Sequence, residues 1–244
     1  MADFYDSRSF VYYKNQMSFM EKLKKLSNDS VNRNKNYEPV YVRGNGKKIC
    51  NSWWGDAWCR NLERYADLEN RIDRGKSYLK IGAVVDLKIY GGRIYAKVQG
   101  NKRTPYSIKI TIDPLNERSR KRLEQQAVGK IQNLEALMNG TFPEDLKDVF
   151  FQENALFPAP NEIHFNCTCP DWAHMCKHVT AALYGIGIRL DDDPLYFFQM
   201  RNINVDDFIA KVVGGKIELM LENANVVETS RIMKNPDLTK LFGI

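Results

Sequence analysis

The 244-residue sequence predicts an α+β fold: an antiparallel β-meander with flanking helices, then a small Cys/His-rich module and a helical C-terminal segment. Three observations predict it. Apolar residues alternate through residues 84–112 in runs separated by a Gly-Gly pair. Apolar positions recur at spacings of three and four on either side of those runs. Three of the five cysteines and two of the three histidines fall within residues 166–178.

Residues 1–26 carry Phe10, Tyr13, Met17, Met20 and Leu23 at helical spacing and read as a short amphipathic helix. The polar, turn-rich stretch SNDSVNRNKNYEP that follows reads as a linker. In NSWWGDAWCRNLERYADL, Asn51 or Ser52 supplies an N-cap, and Trp54, Trp58, Leu62 and Tyr65 share one helical face, so the tryptophans are expected in the core. The strongest strand signal is AVVDLKIYGGRIYAKVQG. Val85, Leu87 and Ile89 alternate outward, Gly91-Gly92 turns the chain, and Ile94, Ala96 and Val98 alternate back. If Tyr90 pairs with Arg93, both apolar sets share a face, and Tyr106, Ile108, Ile110 and Ile112 add a third strand. The opposite face then carries Asp86, Lys88, Arg93, Lys97 and Lys109.

ERSRKRLEQQAVGKIQNLEALMNG reads as a helix, with a break near Gly129 and a stop at Gly140, Pro143 opens another, and the prolines at 158 and 160 mark a linker. The basic start SRKRLE opposes the helix dipole, which points to a use for those charges or to an exposed charged face. HVTAALYGIGIRL is helical, and two or three small helices follow it. Asp191, Asp192 and Asp193 resemble a carboxylate site, but helix capping accounts for them.

An apolar content of 43%, with 11% aromatic residues, supports a real core. No run reaches the ~18 apolar residues of a membrane span, and MADFYDSRSFVYYKNQ lacks the pattern of a signal peptide. The expected location is therefore the cytosol or nucleoid, away from membranes, where clustered thiols favour a metal over a disulfide. The net charge of +6 is unevenly spread. Residues 71–130 hold 15 Lys/Arg against 5 Asp/Glu, a net +10, whereas 161–244 hold 8 against 11, a net −3. Such asymmetry suggests a polyanion contact on the middle of the chain.

By spacing, the cluster is Cys167-x-Cys169-x6-Cys176-x-His178. Three thiolates and one imidazole make a complete tetrahedral set for zinc, with no position open for a catalytic water, which makes the site structural. Ligands two apart on a strand point to one side, so Cys167 and Cys169 suit a strand. Residues two apart on a helix diverge by about 200°. Cys176 is therefore expected just before the helix, with His178 in its first turn and Pro170-Asp171 turning the chain between the pairs. Lys177 would offset part of the net −1 of such a centre. Other readings stand beside this one: buried packing, a nucleophile pair of Cys176 with His178 or His174, and His174 in place of His178 as ligand. His164 reads as an ordinary strand residue. Loss of Cys176 or His178 is expected to melt this segment and leave the meander intact.

CTCPDWAHMCKHVTAALY resembles the SWIM zinc finger, a ββα module. The likeness extends outward through SWWGDAWCRNLE, RGKSYLKIGAVVDLKI, AKVQGNKRTPYSIKI and GIGIRLDDDPLYFFQMRNI to stand-alone bacterial SWIM proteins, and covers residues 52–224. Those proteins are often encoded beside a Swi/Snf-type helicase-like ATPase. The resemblance implies zinc bound by Cys167, Cys169, Cys176 and His178, a nucleic-acid or protein-interaction role, and such an ATPase as partner. With it, the expected fold is α+β: an antiparallel meander with flanking helices, a small ββα zinc-binding module and a helical C-terminal segment. Four parts follow: an N-terminal helical arm and linker (1–38), a basic α+β domain with the meander (39–160), the SWIM-like finger (161–190) and the C-terminal helical segment (191–244).

The candidate polyanion surface is the basic meander, in which Arg71, Arg74, Lys76, Lys80 and Lys88 precede the sharper set, interleaved with Tyr78, Tyr90, Tyr95 and Tyr106. The nucleic-acid-binding candidates are Arg93, Lys97, Lys102, Arg103, Lys109 and Lys177, with the loop GNKRTPY at their centre. A merely solvated sheet face is the plain alternative. No GxxxxGK[ST], HExxH or GxSxG occurs, so a non-enzymatic module is expected. Its function is either binding DNA or RNA as a zinc-stabilised accessory to a separate ATPase, or protein–protein adaptation without nucleic-acid affinity.

Overall fold

Alternation builds the sheet, and the sheet places everything else. In the computed structural model, which describes residues 6–43, 48–63, 69–128, 147–150, 155–171 and 175–225, strands β1 (Val84–Tyr90), β2 (Arg93–Val98), β3 (Tyr106–Ile112) and β4 (Ile163–Cys167) form one antiparallel sheet in the order β1-β2-β3-β4. The fold is α+β, as expected. Tyr90 pairs with Arg93 across a Gly91-Gly92 turn whose φ values of 41° and 77° favour glycine. Leu87, Ala96 and Ile108 then lie in one cross-strand row, and Ile89, Ile94 and Ile110 in the next, all facing the core. A register shift between Val84 and Asp86 buries both Val84 and Val85 where strict alternation would expose one of them. The outer edge of β1 is covered by residues 38–40, through Val40 N–H to the Val84 carbonyl (3.0 Å) and Leu87 N–H to the Glu38 carbonyl (3.1 Å).

Among the described residues eight helices surround the sheet: α1 (Asp6–Arg33), α2 (Trp53–Glu63), α3 (Glu69–Lys80), α4 (Glu117–Val128), α5 (Lys147–Phe150), α6 (Lys177–Asp192), α7 (Tyr196–Met200) and α8 (Val205–Asn225). Helix α6 is central. From His178 to Ile188 every residue is buried, so the helix is enclosed by α2, α3 and the inner face of the sheet. Its small residues permit this close packing. A Cβ on Gly187 would stand 2.8 Å from Cys50 Sγ and 3.2 Å from Cys59 Sγ, and Gly75 of α3 leaves no room for a Cβ against Thr180.

Several expectations are refined. Helix α1 continues to Arg33 through residues read as a linker, because its polar residues find partners. Buried Ser30 donates to Gln99 Oε1 (2.6 Å), and buried Ser27 to the Leu23 carbonyl (2.8 Å). Helix α2 starts as expected: Ser52 Oγ accepts from Gly55 N–H (3.0 Å), Trp58 is fully buried, and Trp53 and Trp54 pack partly buried against the core. Asp191 reaches back to α2, where its carboxylate accepts the N–H groups of Asn51 (2.6 Å) and Ser52 (3.1 Å) and the Ser52 hydroxyl. Asp193 caps locally, accepting Leu195 N–H (2.9 Å), and Asp192 pairs with Arg43 (2.5 Å). Helix α4 begins two residues before SRKRLE. Glu117 therefore stands in the first turn and pairs with Lys121 (3.1 Å), and Glu124 pairs with Arg120 (3.8 Å), so two carboxylates offset part of the positive charge at this helix start. The expected Gly140 stop, the Pro143 helix start and Tyr65 lie outside the described residues. Among those described, no helix is long and apolar enough to cross a membrane.

The segment 161–190 is not laid out apart from 39–160. Strand β4 pairs with β3 through Ile108–Cys167, Ile110–Phe165 and Ile112–Ile163, and α6 packs under that same sheet.

Candidate metal centre

Each donor owes its place to a different piece of local structure. Cys167 ends β4 on the core-facing side of the sheet, directly across from Ile108. The chain stays beside β3 for one more residue, held by Thr168 N–H to the Ser107 carbonyl (3.1 Å) and Ser107 N–H to Thr168 Oγ1 (3.0 Å), then bends at Cys169 and Pro170. Cys169 therefore lies just past the strand. Cys176 is the N-cap residue of α6, with extended backbone angles, and His178 sits in the first turn, as the spacing predicts. The four donor atoms lie within 4.8 Å of one another. This cluster could hold a metal ion.

Its electrostatics follow from crowding. The Cys176 thiol is drawn down to about 3, chiefly by the hydrogen bond it accepts from Cys167, aided by His178, whose Nδ1 is 3.8 Å away, and by the Val179 N–H of the helix start. Cys167 is pushed up by that same bond and by burial, and Cys169 is raised mainly by burial. One anchored thiolate thus sits among two thiols. Cys176 is 1% exposed, which argues against its use as a nucleophile on an external substrate.

The surroundings of His178 were not read from the sequence. Tyr106 packs against it at a tilt, with 4.6 Å between ring centroids, and Tyr78 meets it edge-on at 5.4 Å. Both tyrosines are buried, because Tyr106 belongs to the inward set of β3 and Tyr78 to the face of α3 that meets α6. They are therefore unavailable for stacking bases. Burial raises both phenols, Tyr78 to about 12. Outside them, Lys102 Nζ lies 5.9 Å from the Tyr106 ring and Lys177 Nζ 5.6 Å from the Tyr78 ring. Each ring is thus flanked by a lysine near the thiolate cluster. Arg71 of α3 forms an ion pair with Asp171, tying the bend between the ligand pairs to that helix. His174 lies outside the described residues.

The remaining candidates fall into two groups. Arg93, Lys97 and Lys109 share the outer face of the sheet, with Arg93 and Lys109 exposed and Lys97 donating to Ser107 Oγ (2.7 Å). Exposed Lys102 and Arg103 lie in the β2–β3 loop, where the Arg103 carbonyl accepts from Arg33 of α1 (3.5 Å), and Lys177 opens α6 between the donors Cys176 and His178. Of the wider basic stripe, Arg71, Lys76 and Lys88 have local acidic partners in Asp171, Glu63 and Glu38. His164 is exposed and pairs with Asp113 at 3.1 Å, an ordinary strand residue.

No family model matches the chain, and no solved structure matches it. It is similar to a curated protein of Mycobacterium tuberculosis (strain ATCC 25618 / H37Rv), Rv2102, which is described as uncharacterized. The two are 30% identical over 181 residues, which make up 73% of this chain and 65% of the relative. The chain thus spans less than two thirds of that protein's length.

Proposed function

We propose that the chain is a SWIM-type, zinc-stabilised and non-enzymatic nucleic-acid-binding accessory module that works with a separate Swi/Snf-type ATPase. The observation that carries this reading is the convergence of three sulfurs and one imidazole within 4.8 Å. A tetrahedral zinc with ~2.3 Å bonds to sulfur holds its sulfurs about 3.8 Å apart, so the donors need to close in by less than about 1 Å. Three thiolates suit a borderline-soft ion such as zinc better than magnesium or calcium. A complete donor set leaves no position for a metal-bound water, which supports a structural role over a catalytic one. Nucleic-acid binding is supported by Arg93 and Lys109 on the open sheet face, by Lys102 and Arg103 in the β2–β3 loop and by Lys177 between two of the donors. The ATPase partner rests on the resemblance in CTCPDWAHMCKHVTAALY and its flanks.

Fluorescence anisotropy with labelled DNA and RNA tests the reading. Binding is expected to weaken steeply between about 50 and 200 mM salt, and to fade when Arg93, Lys97, Lys102 and Arg103 become Ala. Salt-insensitive binding, or none, overturns it. A protein adaptor is the second reading, favoured by the outward apolar residues of α8: Ile217, Met220 and Leu221 are 52%, 59% and 60% exposed. In that case partners recovered from cells survive nuclease treatment unchanged, and anisotropy reports no nucleic-acid binding.

A further inference from the structure

The outer face of the sheet is ordered in two cross-strand rows. One row runs Lys88, Tyr95, Lys109, Asn166, and the next Tyr90, Arg93, Thr111, His164. Tyr95 and Tyr90 occupy diagonal positions on adjacent strands, about 7–8 Å apart. They are 43% and 58% exposed on a face whose other side is the core. Each stands beside an exposed cation, Lys109 across from Tyr95 and Arg93 across from Tyr90. Among the described residues neither cation has a salt bridge. The carboxylates nearby are engaged: Asp86 accepts Glu38 N–H (2.9 Å), and Asp113 pairs with His164. Tyr90, Arg93 and Tyr95 also line a shallow depression with Thr111, Pro114 and Asn202.

Two exposed tyrosine rings on neighbouring strands, each with a cation across from it, offer flat faces to stack on beside positive charge. Resting on the nucleic-acid reading above, we infer that this face binds a single strand, with two successive bases stacked on Tyr95 and Tyr90 and their phosphates met by Lys109 and Arg93. Base–aromatic stacking needs unpaired bases and tolerates any sequence. Shape argues against insertion of this face into the major groove of a duplex. Four strands at ~4.8 Å spacing span about 14 Å, wider than the ~12 Å major groove, which admits a helix or a two-stranded ribbon. Asn166 and His164, at the β4 ends of the two rows, offer polar groups to base edges.

The test compares a labelled single strand, in DNA and RNA form, with the duplex of the same sequence, using the zinc-loaded full chain and its Tyr90→Ala, Tyr95→Ala, Tyr90→Phe and Tyr95→Phe variants. Single strands are expected to bind more tightly than the duplex. Each alanine variant is expected to lose about 5- to 150-fold in affinity for the single strand, while each phenylalanine variant, which keeps the stacking ring, stays near the parent. Circular dichroism and zinc content of the variants, expected to match the parent, separate binding from folding. Duplex bound as tightly as the single strand, or alanine variants that bind unchanged, overturns the stacking face while leaving the nucleic-acid reading intact. Absence of binding to every probe overturns both.

Discussion

Cys176 receives hydrogen bonds that stabilise its anion, whereas Cys167 and Cys169 are held as thiols. A metal that takes all three sulfurs must displace the remaining thiol protons. Zinc added to the metal-free protein at pH 7 in weak buffer is expected to release about two protons per chain, followed with a pH indicator. Release near three would mean that Cys176 is protonated before loading. A second residue-scale prediction concerns Arg201, whose side chain is fully buried and donates to Glu162 (2.9 Å) and to the Asp113 carbonyl (2.8 Å). Arg201→Met removes both of these bonds, while Glu162 keeps Ala159 N–H (2.7 Å), and is expected to destabilise by roughly 2–3 kcal/mol in denaturant unfolding. Nothing in the sequence marks Arg201, since one arginine after an apolar run looks like any surface charge. The four donors were legible because their spacing is itself a geometric statement. The tyrosines around His178 were not, because they arrive from α3 and β3, about 100 and 70 positions earlier in the chain.

At the scale of elements, the meander was legible because its strands follow one another closely in the chain and alternate from Asp86 onward, so neighbours in sequence are neighbours in space. Strand β4 was recognisable as a strand, but its pairing with β3 was not, since five residues separated from β3 by a long intervening stretch carry no register information of their own. Likewise, the polar residues 27–33 read as a linker because serines that bury themselves through hydrogen bonds look the same in sequence as serines in water. The contact of α3 with α6 yields a prediction. Gly75→Ala places a methyl group against Thr180 and within 3.0 Å of the Ala181 backbone nitrogen. It gains ~1 kcal/mol of helix propensity but forces the helices apart, so a net loss of about 1 kcal/mol or more is expected by thermal or denaturant unfolding. Zinc affinity should fall with it, because Tyr78 and Arg71 move with α3. Unchanged zinc affinity would show that α3 does not support the cluster.

For the whole molecule, the cluster joins the end of an edge strand to the start of the central helix, and Arg71–Asp171 ties it to α3. Chelation of a metal bound there is therefore expected to cost β4, the first turns of α6 and the adjoining turns of α3 their amide protection together, read by hydrogen exchange. Exchange confined to residues 167–178 would instead restore the picture of an isolated finger. The β1–β2 hairpin, with its own Gly-Gly turn and apolar row, should be the last of the sheet to exchange.

The long stretch of chain between β3 and β4 also bears on the order in which the protein assembles. Strands β1 to β3 find one another across short turns, whereas β4 must return from Ile163 to meet Ile112, a non-local closure that slows folding. The metal needs only residues 167–178, a short and local span. An ion captured early would prepare the strand end and helix start as one rigid piece before the slow closure, so a metal bound there would guide folding as well as brace the fold.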